Sequence, residues 1–248
     1  PTARGLITLN EKSGCKIQNM QIDGNKAAYT ANYNYGIYLS SSSDNTITGT
    51  TCNNNNNGIR FDSSSNKNTV TGNTCNSNGN GIRFDSSSDN TVIGNTCNNN
   101  SSNGIYLSSS SNTIVTGNTC NSNYYGIFLY SSSDNTVTGN TCNNSNYGIR
   151  LYSSSNNTVT GNTCYNNSYG IYLTSSSNNN IITGNTCIRG TGQPSDYTSS
   201  QYTIRLSGSG NSYNLISSNN CMGKAVVISG GTGNSAWGNK FDNTDDLP

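Results

Sequence analysis

Eight cysteines divide this chain into nearly equal lengths. Cys52, Cys75, Cys97, Cys120, Cys142, Cys164 and Cys187 follow one another at gaps of 23, 22, 23, 22, 22 and 23 residues, and Cys221 comes after one longer interval. An internal repeat of this length is the mark of a solenoid: one unit cannot bury its own apolar face, so successive units stack and share a thin continuous core.

Composition alone points the other way. Only 30% of the 248 residues are apolar and 9% are charged, and Asn, Ser, Thr and Gly fill most of the remainder. Without periodicity such a chain would read as disordered. Here each repeat returns apolar residues to the same few positions. The expectation is one domain over 1–248, with rungs from about 6 to 241.

A net charge of +1 with no basic stretch gives a polyanion such as DNA nothing to hold, so no nucleic acid partner is expected. No run of about 18 apolar residues exists, so no membrane insertion is expected. No basic-then-apolar leader opens the chain, which reads as a mature protein or an excised domain. Asn-rich repeats with tyrosine, one glutamate and no histidine suit an extracellular or cell-surface protein. Sequons at Asn99, Asn100, Asn143, Asn156 and Asn166 allow N-glycosylation.

Aligned on the cysteines, the repeats show three more inward columns. Ile37, Ile59, Ile82, Ile105, Ile127, Ile149 and Ile171 are each followed two residues on by Leu or Phe, from Leu39 and Phe61 to Leu173. A spacing of two puts both side chains on one face of a strand. A Ser/Asn/Asp turn leads to a second strand with Ile47, Val70, Val92, Val115, Val137, Val159 or Ile182 facing in, and the cysteine stands on a third. The register extends to Ile7, Leu9, Ile17 and Ile22 at the start and to Val226, Ile228, Ala236 and Phe241 at the end, giving ten rungs. At about 4.8 Å per rung the rod would be roughly 45 to 50 Å long. Just before the cysteines runs a column of Asn73, Asn95, Asn118, Asn140, Asn162, Asn185, Asn219 and Asn239, an expected amide ladder that Thr50 and Met20 interrupt.

The unit Gly126-Ile127-Phe128-Leu129 with Asn135-Thr136-Val137-Thr138-Gly139-Asn140-Thr141-Cys142, repeated along the chain, resembles the parallel β-helix repeats of NosD-like proteins within the pectate-lyase-like superfamily. The opening Ile17-Gln18-Asn19-Met20-Gln21-Ile22-Asp23-Gly24-Asn25 is similar to the first rungs of many such domains. The resemblance implies an all-β, right-handed parallel β-helix with three short strands per rung. It leaves function open among lyases, hydrolases, epimerases, phage spikes and adhesins.

The cysteine column reads first as a packing position, because Ile22 and Phe241 take its place at the two ends and free cysteine is among the most buried residue types. Disulfides between some rungs are the alternative. The resemblance adds copper, but soft-metal binding needs accessible thiolates and often Met or His, and the chain has two Met and no His. No metal site and no cofactor are expected.

Between and beside the first-strand apolar residues lie outward positions that change character along the rod. Arg60, Asp62, Arg83 and Asp85 form an early charged patch; Tyr38, Tyr106, Tyr125, Phe128, Tyr130, Tyr147, Arg150, Tyr152, Tyr169 and Tyr172 form an aromatic strip. Rings at regular spacing suit sugar rings, so the strip is the candidate carbohydrate or partner surface. Asp62 and Asp85, about one strand spacing apart with Arg60 and Arg83 beside them, are the candidate catalytic set for a lyase or glycoside hydrolase. A plain cross-strand charge pattern is the competing reading. Outward Thr pairs such as Thr46 with Thr48 and Thr69 with Thr71 resemble ice-binding arrays, although Ile93, Ile114 and Ile181 interrupt them.

Two insertions, 25–35 and 190–202, fall at one corner and overhang the Tyr/Arg face. The first and last rungs leave open strand edges, which a homo-oligomer, a fibre or continuation into a larger surface protein would cover. The expected function is an extracellular surface scaffold or adhesion module, with polysaccharide or neighbouring copies as partner. A polysaccharide-degrading enzyme and an ice-binding protein are the alternatives.

Overall fold

The computed structural model describes residues 4–28, 34–190 and 201–241. Those residues form a right-handed parallel β-helix with three walls. The first wall is a ten-stranded parallel sheet of six- and seven-residue strands such as Asn34–Ser40 and Tyr125–Tyr130, thinning at its last strand, Val227–Ser229. The second has ten strands of three residues, such as Thr136–Thr138. The third is sparser: short strands such as Thr51–Asn53 and Thr163–Tyr165 are joined through single-residue bridges at Thr74, Thr96, Thr119 and Thr141.

Every rung turns its corners through left-handed bends, which explains the composition. In one rung Ser41, Asp44, Gly49 and Asn54 have φ of 48°, 58°, 58° and 57°. Glycine enters this region without cost, while Asn and Asp tolerate it because their short polar side chains bond locally. The 22-to-23 alternation is partly settled at the first corner. Phe61 and Val70 are nine positions apart where Leu129 and Val137 are eight, and the extra residue becomes a second left-handed serine, Ser64 after Ser63.

Inside, the four sequence columns stack in register. Ile127 sits between Ile105 and Ile149, Val137 between Val115 and Val159, and all are fully buried. Ile22 pairs with Cys52, and Cys221 with Phe241, so the substitutions at the ends of the cysteine column are true structural equivalents. Phe61 and Phe84 stack inside the rod with ring centroids 4.4 Å apart and planes 9° from parallel. All nine cysteines are free thiols, and the eight of the column are completely buried. The parallel direction of neighbouring side chains, which leaves the sulfurs stacked rather than facing, accounts for the absence of disulfides.

The first-wall glycines sit where the backbone of the next rung comes too close for a side chain. A Cβ at Gly126 would lie 2.5 Å from Gly148 O and 3.1 Å from Cys120 O, both backbone atoms.

The expected Asn ladder is present and fully bonded. Asn118 donates through Nδ2 to Asn140 Oδ1 at 2.9 Å and to Val92 O at 3.0 Å, while its backbone N–H reaches the same Asn140 oxygen at 2.9 Å. Three more buried ladders stand at the other corners: Asn45, Asn68 and Asn90; Asn55, Asn78, Asn100 and Asn123; and the serines from Ser42 to Ser177. Asn100 is part of one of them and buried, so of its overlapping sequons only the exposed Asn99 is open to a glycan.

The insertions are described only at their edges. Residues 29–33 and 191–200 lie outside the described residues, so the expectation that both overhang the Tyr/Arg face falls largely on them.

Candidate functional site

The first wall points its alternate residues outward, and strand register lines them up along the rod. One row runs Tyr38, Arg60, Arg83, Tyr106, Phe128, Arg150, Tyr172, Arg205. A second row, at the corner before the first strand's inward residues, runs through the buried Tyr35, Asn57, Asn80 and Asn103 to the partly exposed Tyr125, Tyr147, Tyr169 and Tyr202, and a third, outward again, carries Asp62, Asp85, Ser108, Tyr130 and Tyr152. All fourteen residues singled out from the sequence thus share one face.

Its early half is a closed ion cluster. Arg60 Nη2 lies 2.9 Å from Asp62 Oδ2 and 3.1 Å from Asp85 Oδ2, and Arg83 holds Asp85 through Nε at 2.7 Å and Nη2 at 3.0 Å. Tyr38 donates its hydroxyl to Asp62 at 3.2 Å, and Arg60 donates to the buried Tyr35 hydroxyl. Burial raises the Asp62 carboxyl above its ordinary range, against the pull of Arg60. Burial also works against the Arg60 charge, but Asp62 leads the groups that outweigh it. The two candidate catalytic carboxylates therefore lie side by side and share one guanidinium.

The later half is aromatic, with a geometry that differs from the expectation. Tyr125, Tyr147, Tyr169 and Tyr202 stack on one another at 5.0, 4.9 and 5.3 Å, with interplanar angles of 26°, 8° and 9°. Tyr130 stacks on Tyr152 at 5.3 Å and Tyr106 on Phe128 at 5.3 Å. Rings one strand spacing apart cover each other's faces, so the column offers edges and hydroxyls rather than open platforms. Sugar rings cannot lie flat between them; hydroxyl contacts along the row are what the arrangement permits. Arg150 is set among these rings, within 5.0 to 5.7 Å of Tyr125, Phe128, Tyr147, Tyr152 and Tyr172, and donates to the Tyr125 hydroxyl at 2.8 Å.

Sequence reasoning missed Tyr202, Arg205 and Tyr124. The first two follow the 190–202 insertion, yet Tyr202-Thr203-Ile204-Arg205-Leu206 repeats Tyr147-Gly148-Ile149-Arg150-Leu151 and would have revealed them. Tyr124 precedes its column by one residue and packs edge-on against Tyr125, centroids 4.7 Å apart.

The Thr columns lie on the second wall, away from this face: Thr46, Thr69 and Thr91 pair in one row and Ile114 continues it. An open cleft of about 770 Å³, bounded by Asp23, Asn25, Lys26, Ala27, Asn54 and Ser77, includes none of the Tyr/Arg residues.

The right-handed parallel β-helix is a fold shared by many solved structures. This chain belongs to the NosD family: that family, described as periplasmic copper-binding protein (NosD), matches residues 2–153, and the right handed beta helix region family matches 98–245. No curated protein sequence matches it. Among solved structures it is similar to the Dettilon tailspike protein, with TM-score 0.72 and 17% identity over 94% of this chain and 58% of that one. It is also similar to DFA-IIIase from Arthrobacter chlorophenolicus A6 without its lid, with TM-score 0.68 and 16% identity over 94% and 64%. A third is the periplasmic alginate epimerase AlgG, with TM-score 0.56 and 20% identity over 93% and 58%. The chain spans less than two thirds of the length of each.

The family description raises copper, and the donors of this chain do not fit it. The sequence has no histidine, and no three His, Cys, Asp or Glu side chains converge on a metal-sized space among the described residues. The column thiols are sealed in the core with no exposed surface; burial pushes Cys120 and Cys142 up and Cys221 up to about 12, and although hydrogen bonds from Cys120 and Cys75 bring Cys97 down to about 6, its sulfur is as enclosed as the others and closed to a metal.

Proposed function

We propose that the chain is an exported surface module that binds polysaccharide along its Tyr/Arg face and holds it without cleaving it. The observation that carries this reading is the row of Tyr125, Tyr147, Tyr169 and Tyr202, which presents hydroxyl groups at the rung spacing beside the Arg150 and Arg205 guanidiniums. That spacing is close to the length of one sugar in an extended chain, so successive sugars meet equivalent donors. The neighbours lend support: one is named an alginate epimerase, another a tailspike. Export is supported by the NosD family and the alginate epimerase AlgG, both of which are described as periplasmic.

Binding on a glycan array followed by product analysis tests the proposal. Retention of a polysaccharide with no new chain ends is the expected result, and Tyr147→Ala with Tyr169→Ala lowers retention. New reducing or unsaturated ends would favour the second reading, an enzyme using Asp62 and Asp85, for which the raised Asp62 carboxyl beside a second carboxylate is the favouring observation. Failure to bind any glycan, with concentration-dependent self-association instead, would make neighbouring copies the partner.

A further inference from the structure

The first-wall face carries two kinds of arginine. Arg60 and Arg83 belong to an Arg-x-Asp sequence, and their carboxylates, Asp62 and Asp85, neutralise them within the same face. Arg150 and Arg205 occupy the same row, but the residues two positions on are Tyr152 and Ser207, and among the described residues neither guanidinium meets a carboxylate.

Stacking does not substitute for that missing counter-ion. The rings around Arg150 and the Tyr202 ring, 4.3 Å from the Arg205 guanidinium, cover the faces of the cations, and in their planes the Tyr125 hydroxyl takes one Arg150 Nη1 donor at 2.8 Å, a neutral acceptor that leaves the charge unmatched. Nε of Arg150 and Nε of Arg205 are both buried without an acceptor. Arg60 Nε is in the same position, but its terminal nitrogens reach Asp62 and Asp85. The Arg150 and Arg205 Nε atoms are out of a ligand's reach, so what the later half of the face offers is the terminal nitrogens of two partly exposed guanidiniums with no carboxylate beside them, groups suited to binding carboxylate or sulfate.

Register fixes how far apart those acceptors must be. Tyr172 pairs with Arg150 on one side and with Arg205 on the other, so the two arginines stand two rungs apart, about 9 to 10 Å along the rod axis. We propose that this half of the face selects acidic polysaccharide, taking acid groups that lie on one side of the glycan two sugars apart, one at Arg150 and the next at Arg205. The proposal rests on the polysaccharide-binding reading above and names its ligand class.

Three acidic polysaccharides, polygalacturonate, alginate and hyaluronan, each compared with its methyl-esterified form, test it with the full chain, alongside the neutral members of the glycan array. At least one acid form is expected to bind about tenfold or more tightly than its ester, with affinity falling as salt is raised. Arg150→Gln and Arg205→Gln each remove most of that preference, lowering binding of the acid form by a larger factor than binding of its ester; an equal loss for both forms overturns the proposal. Equal binding of acid and ester, or binding only of neutral glycans, overturns the acidic selectivity and leaves the polysaccharide reading intact. Binding of no polysaccharide at all overturns both.

Discussion

Asn118 and Asn140 are joined by two hydrogen bonds to a single oxygen: the Asn118 side chain and backbone both donate to Asn140 Oδ1, each at 2.9 Å. The same double bond recurs from Asn140 to Asn162 and from Asn162 to Asn185. This relation lets a chain with so little apolar material hold a corner dry.

Asn140→Ala should therefore cost far more than its small volume suggests. The Asn118 amide keeps Val92 O and Thr116 O, but the buried Asn118 N–H loses its acceptor and Val115 O loses the Asn140 amide, and at about 1 to 3 kcal/mol for each unmet group the expected loss is about 3 kcal/mol. Thr138→Ala, an outward change two residues away, is expected to cost under about 1 kcal/mol. Thermal melts of the two variants against the parent chain decide the matter, and equal melting temperatures would show that the ladder is ornamental.

The thiols should divide sharply. Cys15 is only partly buried, whereas the eight column cysteines are enclosed. A water-soluble thiol reagent applied to the native protein is expected to modify Cys15 quickly and the column only on unfolding. Fast reaction of several thiols in the native state would remove the packing role of the column.

Alkali should unfold the protein through its tyrosines. Burial raises the phenols of Tyr35, Tyr38, Tyr106, Tyr125 and Tyr147 above the ordinary 10.0. A folded value above the unfolded one means that stability is intact below pH 10.0 and drains away as pH rises through the folded values. Tyrosinate absorbance should lag behind that of the denatured chain and then rise together with loss of circular dichroism. A native titration that overlays the denatured one would contradict this.

Asp62→Asn with Asp85→Asn releases Arg60 and Arg83 from their internal counter-ions. If acidic glycan is the ligand, the double variant should bind it about fivefold more tightly, equivalent to about 1 kcal/mol. Titration calorimetry with the acidic polysaccharide that the parent chain prefers reads the change. The same variant tests catalysis, because an enzyme that depends on these carboxylates would lose its activity.

The four inward columns and the Asn73-to-Asn239 ladder were legible because each recurs at one offset from the cysteine and its side-chain chemistry is repeated. The ladders at the other corners were not. Ser42, Asn45 and Asn55 sit in runs of Ser and Asn, where exposed and buried copies of the same residue alternate and composition cannot separate them. The face was found residue by residue, yet its function-defining detail lay in three dimensions. No one-dimensional signal says that Tyr147 and Tyr169 cover each other's faces, or that one guanidinium, Arg60, bridges Asp62 and Asp85.

The paired left-handed serines, Ser63 with Ser64 and Ser175 with Ser176, have a consequence for inheritance. A corner that takes up an odd residue isolates the walls from slippage in the coding sequence, so copies can be gained or lost in whole units without disturbing those already present. Such a gene can lengthen its product by duplication alone, adding rungs at the repeat spacing while the contacts within existing rungs stay the same.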